Sequence, residues 1–266
     1  ADLRLHRKIF VIDGAAVWTG SMNLVDPRTF KQDSGVGEWV DAMVRIEGPV
    51  AAQFELTFAF DWSVDNQNIT NFRDREPPAS PHVGGAIAQE FSSGPVYRDD
   101  ILYQVLLSAI MDAREELVIT TPYFGPDDGL IQALMAAAAR GVKVTLIVPK
   151  LNDSTLVAWS SKSFYEDLMN SGVIIAEFHG GLLHTKSLLI DKRIAIFGSV
   201  NFDQRSLRLN FEISLIVYNV DFCAKLEKLI ESYLAQADYV DPKAWAKRPT
   251  WRRYLENAAH LTSPLL

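Results

Sequence analysis

The sequence has little of several features that would define a protein class. Cys223 is the only cysteine among 266 residues, which excludes an intrachain disulfide and a cysteine-rich zinc site. No apolar run approaches the roughly 18 residues of a membrane-spanning helix. The opening residues, ADLRLHRK, contain neither an initiator methionine nor the apolar segment of a signal peptide. The sequence is therefore expected to contain no membrane anchor of its own and to be part of a longer protein.

The chain also lacks an excess of positive charge. Lys and Arg number 26 against 33 Asp and Glu, and the net charge is −7. Because a protein that binds duplex nucleic acid usually carries a basic surface, nucleic acid is not expected to be the main partner. A hydrophobic content of 48% and a charged content of 22% are typical of a folded globular protein.

An internal repeat organises the sequence. Residues 5–23 (LHRKIFVIDGAAVWTGSMN) and 183–201 (LHTKSLLIDKRIAIFGSVN) agree at 8 of 19 positions, where unrelated sequences would give roughly one. A shared fold alone would repeat apolar positions, whereas most of these matches are polar or glycine. Both copies fit H-x-K-x4-D-x6-G-S-x-N, which contains two sets of candidate residues: His6, Lys8, Asp13, Ser21 and Asn23, then His184, Lys186, Asp191, Ser199 and Asn201.

The surroundings of the two copies predict an α/β fold. Before the second copy, strand and helix patterns alternate, which favours layered sheets and helices with a largely parallel sheet. The first copy is preceded by only five residues. We therefore expect residues 1–64 to be the C-terminal remnant of a first domain and residues 86–266 a complete second domain with an amphipathic tail. The Pro-, Gly- and Asn-rich residues 65–85 between them are predicted to be a linker.

The repeated side chains suit a phosphodiester. On a strand, His and Lys two residues apart share a face, whereas Asp13 and Asp191 have an odd spacing, which predicts a supporting role away from the phosphate. Two lysines can neutralise the non-bridging oxygens while the serines and asparagines donate hydrogen bonds to them. One neutral imidazole can attack phosphorus and a second, protonated one can donate to the leaving alkoxide. Asp41 and Glu212, on the strands that follow the motifs, are each expected to orient a catalytic imidazole. No ligand cluster suggests a metal or another cofactor.

The paired motif resembles the phospholipase D superfamily. GSMNLVDPR (20–28), TPYF (121–124), GGLLHTKS (180–187) and LNFEISL (209–215) are similar to bacterial cardiolipin synthases of that superfamily, whose C-terminal part the chain matches. The resemblance implies two homologous domains related by a pseudo-twofold axis, a metal-independent active site formed by both motifs and a phosphohistidine intermediate. It further implies that phosphatidylglycerol is the substrate and that the full-length protein associates with the anionic bacterial inner membrane.

Within that resemblance several alternatives stay open. We take His6 as the nucleophile and His184 as the acid and base, although the near-symmetry of the motifs leaves the reverse order possible. Hydrolysis of phosphatidyl esters, a nuclease activity, and a lipid-binding fragment without activity are the alternative functions.

Outside the motifs, several segments have two interpretations. Tyr123 and Phe124 either line a pocket or pack in the core, and Asn152, Asp153 and Ser154 form a helix cap with a possible substrate role. The basic and aromatic tail at residues 241–260 either contacts a membrane interface or packs on the domain through its tryptophans.

Overall fold

The computed structural model describes residues 3–26, 28–29, 35–66, 85–96 and 101–262. The strands are β1 (Ile9–Ile12), β2 (Ala16–Gly20), β3 (Trp39–Val40), β4 (Met43–Glu47), β5 (Ile87–Ser93), β6 (Glu116–Thr120), β7 (Phe124–Gly125), β8 (Lys143–Pro149), β9 (Ile174–Phe178), β10 (Leu182–Leu183), β11 (Ser187–Ile190), β12 (Ile194–Gly198), β13 (Phe202–Asp203), β14 (Glu212–Tyr218) and β15 (Ala237–Tyr239). The helices are α1 (Pro49–Asn66), α2 (Ile101–Asp112), α3 (Asp128–Ala139), α4 (Thr155–Ser163), α5 (Tyr165–Asn170), α6 (Gln204–Arg208), α7 (Val220–Leu234), α8 (Pro242–Ala246) and α9 (Thr250–His260).

An eight-stranded mixed sheet forms the centre of the molecule, in the order β15-β9-β8-β6-β11-β12-β14-β5. Strands β6, β8 and β9 are parallel, and the remaining neighbours are antiparallel. Strand β8 reads KVTLIVP and is buried after its first residue, as expected for a strand covered on both faces. Helices α2 and α3 belong to the core on one face, and α7 packs against the other. The predicted α/β class is confirmed, but the expectation of a largely parallel sheet is wrong, because only two of the seven strand pairings in this sheet are parallel.

Residues 3–66 form a smaller unit against this sheet. Strands β1, β2 and β4 make a three-stranded antiparallel sheet, and Phe54 of α1 packs in one apolar cluster with Val17 and Ile46. The same cluster includes Ile213 and Leu215 of β14. The apolar face of the small unit is therefore buried against the large sheet.

Two short parallel contacts join the motif segments to the opposite unit. Strand β10 pairs with β3 through Leu182–Trp39 and Leu183–Val40, and Leu5 bridges Phe211. Arg7 reinforces the second contact, since its guanidinium donates to the carbonyl oxygens of Glu212 and Ser93 at 3.1 and 2.9 Å. Each motif thus enters the site alongside backbone from the other half.

Two predicted elements differ in the structure. The sequence pattern predicts one helix from Ser154 to Asn170, whereas the structure divides it at Phe164 into α4 and α5. Ser154 caps α4, as predicted, by accepting from the amide of Val157. The pattern VDAMVRIEG predicts one strand over 40–48, whereas the structure has the two strands β3 and β4. The predicted linker lies mostly outside the described residues, so the domain boundaries remain a prediction.

Candidate active site

The two motifs meet at the junction of the two units. The amide of His6 donates to the carbonyl of Phe211, and the amide of His184 donates to the carbonyl of Val40, both at 2.9 Å. Each motif segment is therefore hydrogen-bonded to the residue that precedes the predicted carboxylate of the other half. This backbone pairing positions both imidazoles before any side-chain contact is considered.

The imidazole–carboxylate pairs cross between the halves. His6 Nδ1 lies 2.8 and 2.9 Å from the two carboxylate oxygens of Glu212, and His184 Nδ1 lies 2.6 Å from Asp41 Oδ1. A carboxylate accepts but does not donate while it is ionised, so Nδ1 of each ring carries the proton and Nε2 is the nitrogen left for chemistry. Each motif histidine is thus held by an acid from the other half.

The serines of the motifs hold these carboxylates in place. Ser21 Oγ donates to Asp41 at 2.6 Å and accepts from the amide of Ala42 at 3.0 Å. Ser199 Oγ donates to Glu212 at 2.5 Å and accepts from the amide of Ile213 at 3.0 Å. Both serines are fully buried, and the single hydroxyl proton of each is already used. The prediction that they donate to a substrate phosphate therefore differs from the structure, because they act on the orienting carboxylates.

From the sequence, Gly20 and Gly198 are expected to let the backbone come close to a phosphate, but the structure gives them a different role. A Cβ at Gly20 would collide with the carbonyl oxygen of Ala42, and one at Gly198 with that of Ile213. The absence of a side chain therefore lets β4 and β14 pass close enough for the adjacent serines to reach the carboxylates.

The two lysines are buried and electrostatically coupled. Lys8 Nζ donates to the carbonyl of His6 at 2.7 Å, and Lys186 Nζ donates to that of His184 at 2.6 Å. Burial lowers the pKa of Lys8 to about 8, against the raising effect of Glu212 and Asp41. The pKa of Lys186 is likewise lowered, first by burial and then by the charge of Lys8. Because the charges of both carboxylates act on each lysine, the two motifs form one site that contains two lysines.

We expect binding of a phosphodiester to weaken as the pH rises through about 8. The folded pKa of Lys8 lies below its ordinary 10.5, so the ammonium that would neutralise the anion is lost in the free protein above that pH. The dissociation constant of a short-chain phosphodiester, measured between pH 6 and 10, should therefore increase above pH 8. Lys8→Arg should make this increase smaller, since a guanidinium stays charged while Lys186, whose pKa is also lowered, still titrates. A flat profile in the wild type would contradict the role of Lys8.

His184 differs from His6 in its surroundings. Its side chain is 3% exposed, against 23% for His6, and the Trp39 ring lies 4.4 Å from its own between centroids. Burial, followed by the charge of Lys186, holds the pKa of His184 well below its ordinary value despite the opposing effect of Asp41. In the free protein His184 is therefore a neutral imidazole.

A cavity of about 220 Å³ opens beside His6. Tyr123, Phe124, Asp153 and Ser154 line it, as one of the two interpretations of these residues predicted. Tyr123 donates to Asp153 at 3.0 Å, whereas Phe124 also packs between the rings of Phe164 and Phe202. The remaining member of the predicted cap, Asn152, donates to the carbonyl of Pro122 and accepts from the amide of Ser154.

Unsatisfied polar atoms lie in the cavity wall. Asn201 donates to Ser206 at 3.1 Å, while Asn201 Oδ1 and the hydroxyl of Ser160 are buried without a hydrogen-bond partner among the described residues. Such atoms can be satisfied by the polar groups of a ligand. The corresponding Asn23 is half-buried, and its carbonyl accepts from the amide of Val25.

Sequence reasoning missed Trp39, Asp203 and Asn210. Asn210 donates to Glu212 at 3.1 Å, and Asp203 lines the cavity, where burial raises its pKa to about 6. Trp39 and Asn210 each stand two residues before an orienting acid, and Asp203 stands two residues after Asn201. Strand periodicity around those residues was the available signal.

The motif aspartates Asp13 and Asp191 lie outside the imidazole–carboxylate pairs, at the turns that join β1 to β2 and β11 to β12. Asp13 and Asp191 occupy strand turns with positive φ of 54° and 49°. Asp191 accepts hydrogen bonds from the amides of Arg114, Glu115 and Glu116 at 2.8–3.3 Å. Burial opposes the effect, but these amides lower the pKa of Asp191 below its ordinary value. These hydrogen bonds are consistent with the supporting role that the odd spacing predicts.

Asp191→Ala should lower the free energy of unfolding by about 1–3 kcal/mol, because three amides lose a charged acceptor. Denaturant titration measures this loss, and the activity per folded molecule should stay near that of the wild type. Asp13→Ala is the matched variant, since the described residues offer Asp13 no equivalent amides. An activity loss beyond tenfold in folded Asp191→Ala would contradict the assignment.

Among the described residues, no group of three or more His, Cys, Asp and Glu side chains is arranged to hold a metal ion. None of the helices in the described ranges has the length and apolar character needed to cross a bilayer. The groups that meet at the junction are two imidazoles, two lysine amines and two carboxylates.

Two crossed imidazole–carboxylate pairs with two lysines, on a mixed sheet covered by helices, have the arrangement that the resemblance to the phospholipase D superfamily implies. Comparison with solved structures agrees on the fold. Phosphatidylserine synthase from Haemophilus influenzae aligns with 98% of this chain and 71% of its own at a TM-score of 0.73 and 17% identity. The phospholipase D family member Nuc from Salmonella typhimurium aligns with 59% of this chain at a TM-score of 0.51 and 19% identity.

Sequence comparison places the chain more narrowly. Residues 106–234 match the family described as "Cardiolipin synthase, PLD-like domain". The cardiolipin synthases A of Edwardsiella ictaluri and Yersinia pestis are each 46% identical over 100% of this chain. The chain spans about half the length of these relatives, 55% in each case. Over these residues the chain is similar to the cardiolipin synthases and to the PLD-like domain of that family.

Proposed function

We propose that the protein is a phosphatidyltransferase of the cardiolipin synthase type. It would condense two phosphatidylglycerol molecules to cardiolipin and glycerol through a phosphohistidine. The observation that carries the proposal is the single site with two oriented imidazoles and two buried lysines. Its similarity to the cardiolipin synthases A supports phosphatidylglycerol as the substrate and membrane association, at the bacterial inner membrane, as the setting.

In the proposed first step, His6 Nε2 attacks phosphorus and forms a P–N bond. The P–O bond to the glycerol headgroup breaks, and protonated His184 gives its proton to the departing oxygen. In the free protein His184 is neutral, so the negative charge of the bound phosphodiester must raise its pKa for it to take up that proton. Glu212 fixes the tautomer of the nucleophile, and Lys8 and Lys186 neutralise the charge on the phosphoryl oxygens.

In the second step the roles reverse. His184 takes the proton from the terminal hydroxyl of a second phosphatidylglycerol, the new P–O bond forms, and the P–N bond to His6 breaks. The charges of Glu212 and Asp41 stabilise whichever ring is cationic. Under this proposal residues 1–64 and 86–266 each supply one half of the site, with residues 65–85 as linker, and Asn23 and Asn201 are the motif groups that donate to the phosphate.

Analysis of the products that form when the protein is incubated with phosphatidylglycerol vesicles tests this function. The protein should release free glycerol and form diphosphatidylglycerol in equal amounts. Release of phosphatidic acid without the diphosphatidyl product would assign a hydrolytic phospholipase instead. Nicking of plasmid DNA that is lost in His184→Ala would assign a nuclease. Absence of every product and of a histidine-linked phosphatidyl adduct would leave only lipid binding.

A further inference from the structure

Helix α9 has its polarity reversed relative to an ordinary surface helix. Trp251, Tyr254, Leu255 and Ala258 follow the spacing i, i+3, i+4, i+7 and therefore share one face. That face is exposed to solvent: Trp251 is 59% and Tyr254 73% accessible. The opposite face contains Arg253, Glu256 and His260, and it is turned toward the protein. A face this apolar left in water indicates a partner.

The buried face is fixed by polar contacts and cannot rotate outward. Both carboxylate oxygens of Glu256 accept hydrogen bonds from the guanidinium of Arg248, at 3.0 and 2.8 Å. Arg253 donates to Glu166 of α5 at 3.1 Å. The His260 ring packs edge-on against Phe164 at 4.8 Å. The orientation of α9 is therefore set by the fold, and its apolar face stays outside.

The tail as a whole combines both predicted interpretations. Trp245 packs on the protein, with its ring 5.0 Å from the ring of Tyr165. The guanidinium of Arg248 stacks over the Trp245 ring at 3.5 Å. Trp251 instead points to solvent, with the guanidinium of Arg252 lying 5.4 Å from its ring. One tryptophan anchors the segment and the other is available to a partner.

The exposed basic residues of the same tail favour an anionic partner. Lys243, Lys247 and Arg252 are exposed in the same tail, while the whole chain has a net charge of −7. A local basic surface on an acidic protein is retained against the overall repulsion of anions. Aromatic and aliphatic side chains with flanking Lys and Arg suit the boundary between lipid headgroups and acyl chains.

The position of this face relates it to the candidate active site. Helix α9 packs on α4, and α4 presents Leu156 and Trp159 to solvent. Val157 and Ser160 of the same helix line the cavity beside His6, on the face that adjoins the exposed one. A surface that contacts α9 and the exposed side of α4 therefore lies next to the entrance of the site.

We infer that the exposed face of α9, with Lys243, Lys247 and Arg252, is a docking surface for an anionic phospholipid bilayer. Trp251, Tyr254, Leu255 and Leu261 insert at the headgroup level, and the three cations contact the lipid phosphates. The inference rests on the proposed function for the identity of the lipid as substrate, whereas docking itself is measured without turnover.

Vesicle co-sedimentation of the chain tests the inference. The protein should bind vesicles of equal parts phosphatidylglycerol and phosphatidylcholine, and bind pure phosphatidylcholine vesicles at least tenfold more weakly. The variant Trp251→Ser/Tyr254→Ser should bind the mixed vesicles at least tenfold more weakly than the wild type. Tyr218→Ser, an exposed tyrosine on β14, should bind like the wild type, and circular dichroism checks the fold of each variant.

A charge-matched pair separates the cations from net charge. Lys247→Gln/Arg252→Gln should weaken binding and reduce its salt dependence, whereas Lys225→Gln/Lys228→Gln, exposed lysines on α7, should not. Three outcomes would overturn the inference. They are unchanged binding of the aromatic variant, an equal loss of binding in the two charge variants, and a salt-independent dimer that Trp251→Ser abolishes.

Activity distinguishes this inference from the proposed function. On a water-soluble short-chain phosphatidylglycerol, the aromatic variant should turn over at the wild-type rate. If the wild type binds vesicles but releases no glycerol from either substrate, the proposed function fails while the docking surface stands. If the aromatic variant loses turnover of the soluble substrate to the same extent as it loses vesicle binding, the docking inference fails.

Discussion

Replacing either His6 or His184 by alanine is expected to lower the rate at least about 10³-fold, because residues that act as one unit lose most of their effect when any member is removed. The site contains two imidazoles, each tied through Nδ1 to a carboxylate at 2.6–2.9 Å. One attacks phosphorus and the other moves the proton, so neither substitutes for the other. Glycerol release measured at saturating phosphatidylglycerol checks the loss.

His179→Ala is the matched control for this prediction. His179 is exposed and lies five residues before His184, outside the imidazole–carboxylate pairs, so its removal should leave the rate within a few-fold of the wild type. Most of the activity remaining in either His6→Ala or His184→Ala would rule out the paired-imidazole mechanism.

An activated leaving group assigns the two rings. A phosphodiester of 4-nitrophenol needs no proton for departure, so His184→Ala should still form the covalent adduct on His6. His6→Ala should form none. Mass spectrometry of the acid-labile adduct reads the position directly, and an adduct on His184 in the His6→Ala variant would reverse the assigned order.

Asp41→Asn and Glu212→Gln are expected to lower the rate by about 10²–10⁴-fold, as when the acid that fixes a catalytic imidazole is neutralised. Because each acid holds the imidazole of the other half, each substitution should change the histidine on the far side of the junction. Nitrogen NMR of the imidazoles should show a changed tautomer of His184 in Asp41→Asn and of His6 in Glu212→Gln.

Glu90→Gln provides the control for these two variants. Glu90 on β5 is another partly buried carboxylate. It accepts hydrogen bonds from Thr57 of α1 and from Ser92, and it does not contact either imidazole. Its replacement should leave both tautomers unchanged. A tautomer change at the histidine of the same half as the substituted acid would refute the crossed arrangement.

Local periodicity explains what the sequence could predict. Residues two apart on a strand share a face, which predicted that His6 and Lys8 lie together, and the odd spacing of Asp191 predicted a supporting role away from the phosphate. The α/β class followed from alternating patterns such as VKVTLIVP before the second motif. These inferences depend on chemistry within a few residues.

The features that the sequence could not supply depend on partners distant along the chain. Ser21 and Asp41 are 20 residues apart, and their hydrogen bond depends on β4 passing beside Gly20. His6 and Glu212 are 206 residues apart and belong to different halves. Spacing identified both acids as orienting groups, but only the docking of the two units shows which imidazole each one holds.

The crossed pairs make alignment of the active site a property of the junction as a whole. A small shear of residues 3–66 against the large sheet would displace Asp41 from His184 and Glu212 from His6 in the same movement. A misplacement near 1 Å is worth about a hundredfold in rate, and here it would be incurred twice. Warming should therefore inactivate the protein in an all-or-none fashion when the junction loosens, at a temperature below that at which the eight-stranded sheet itself melts.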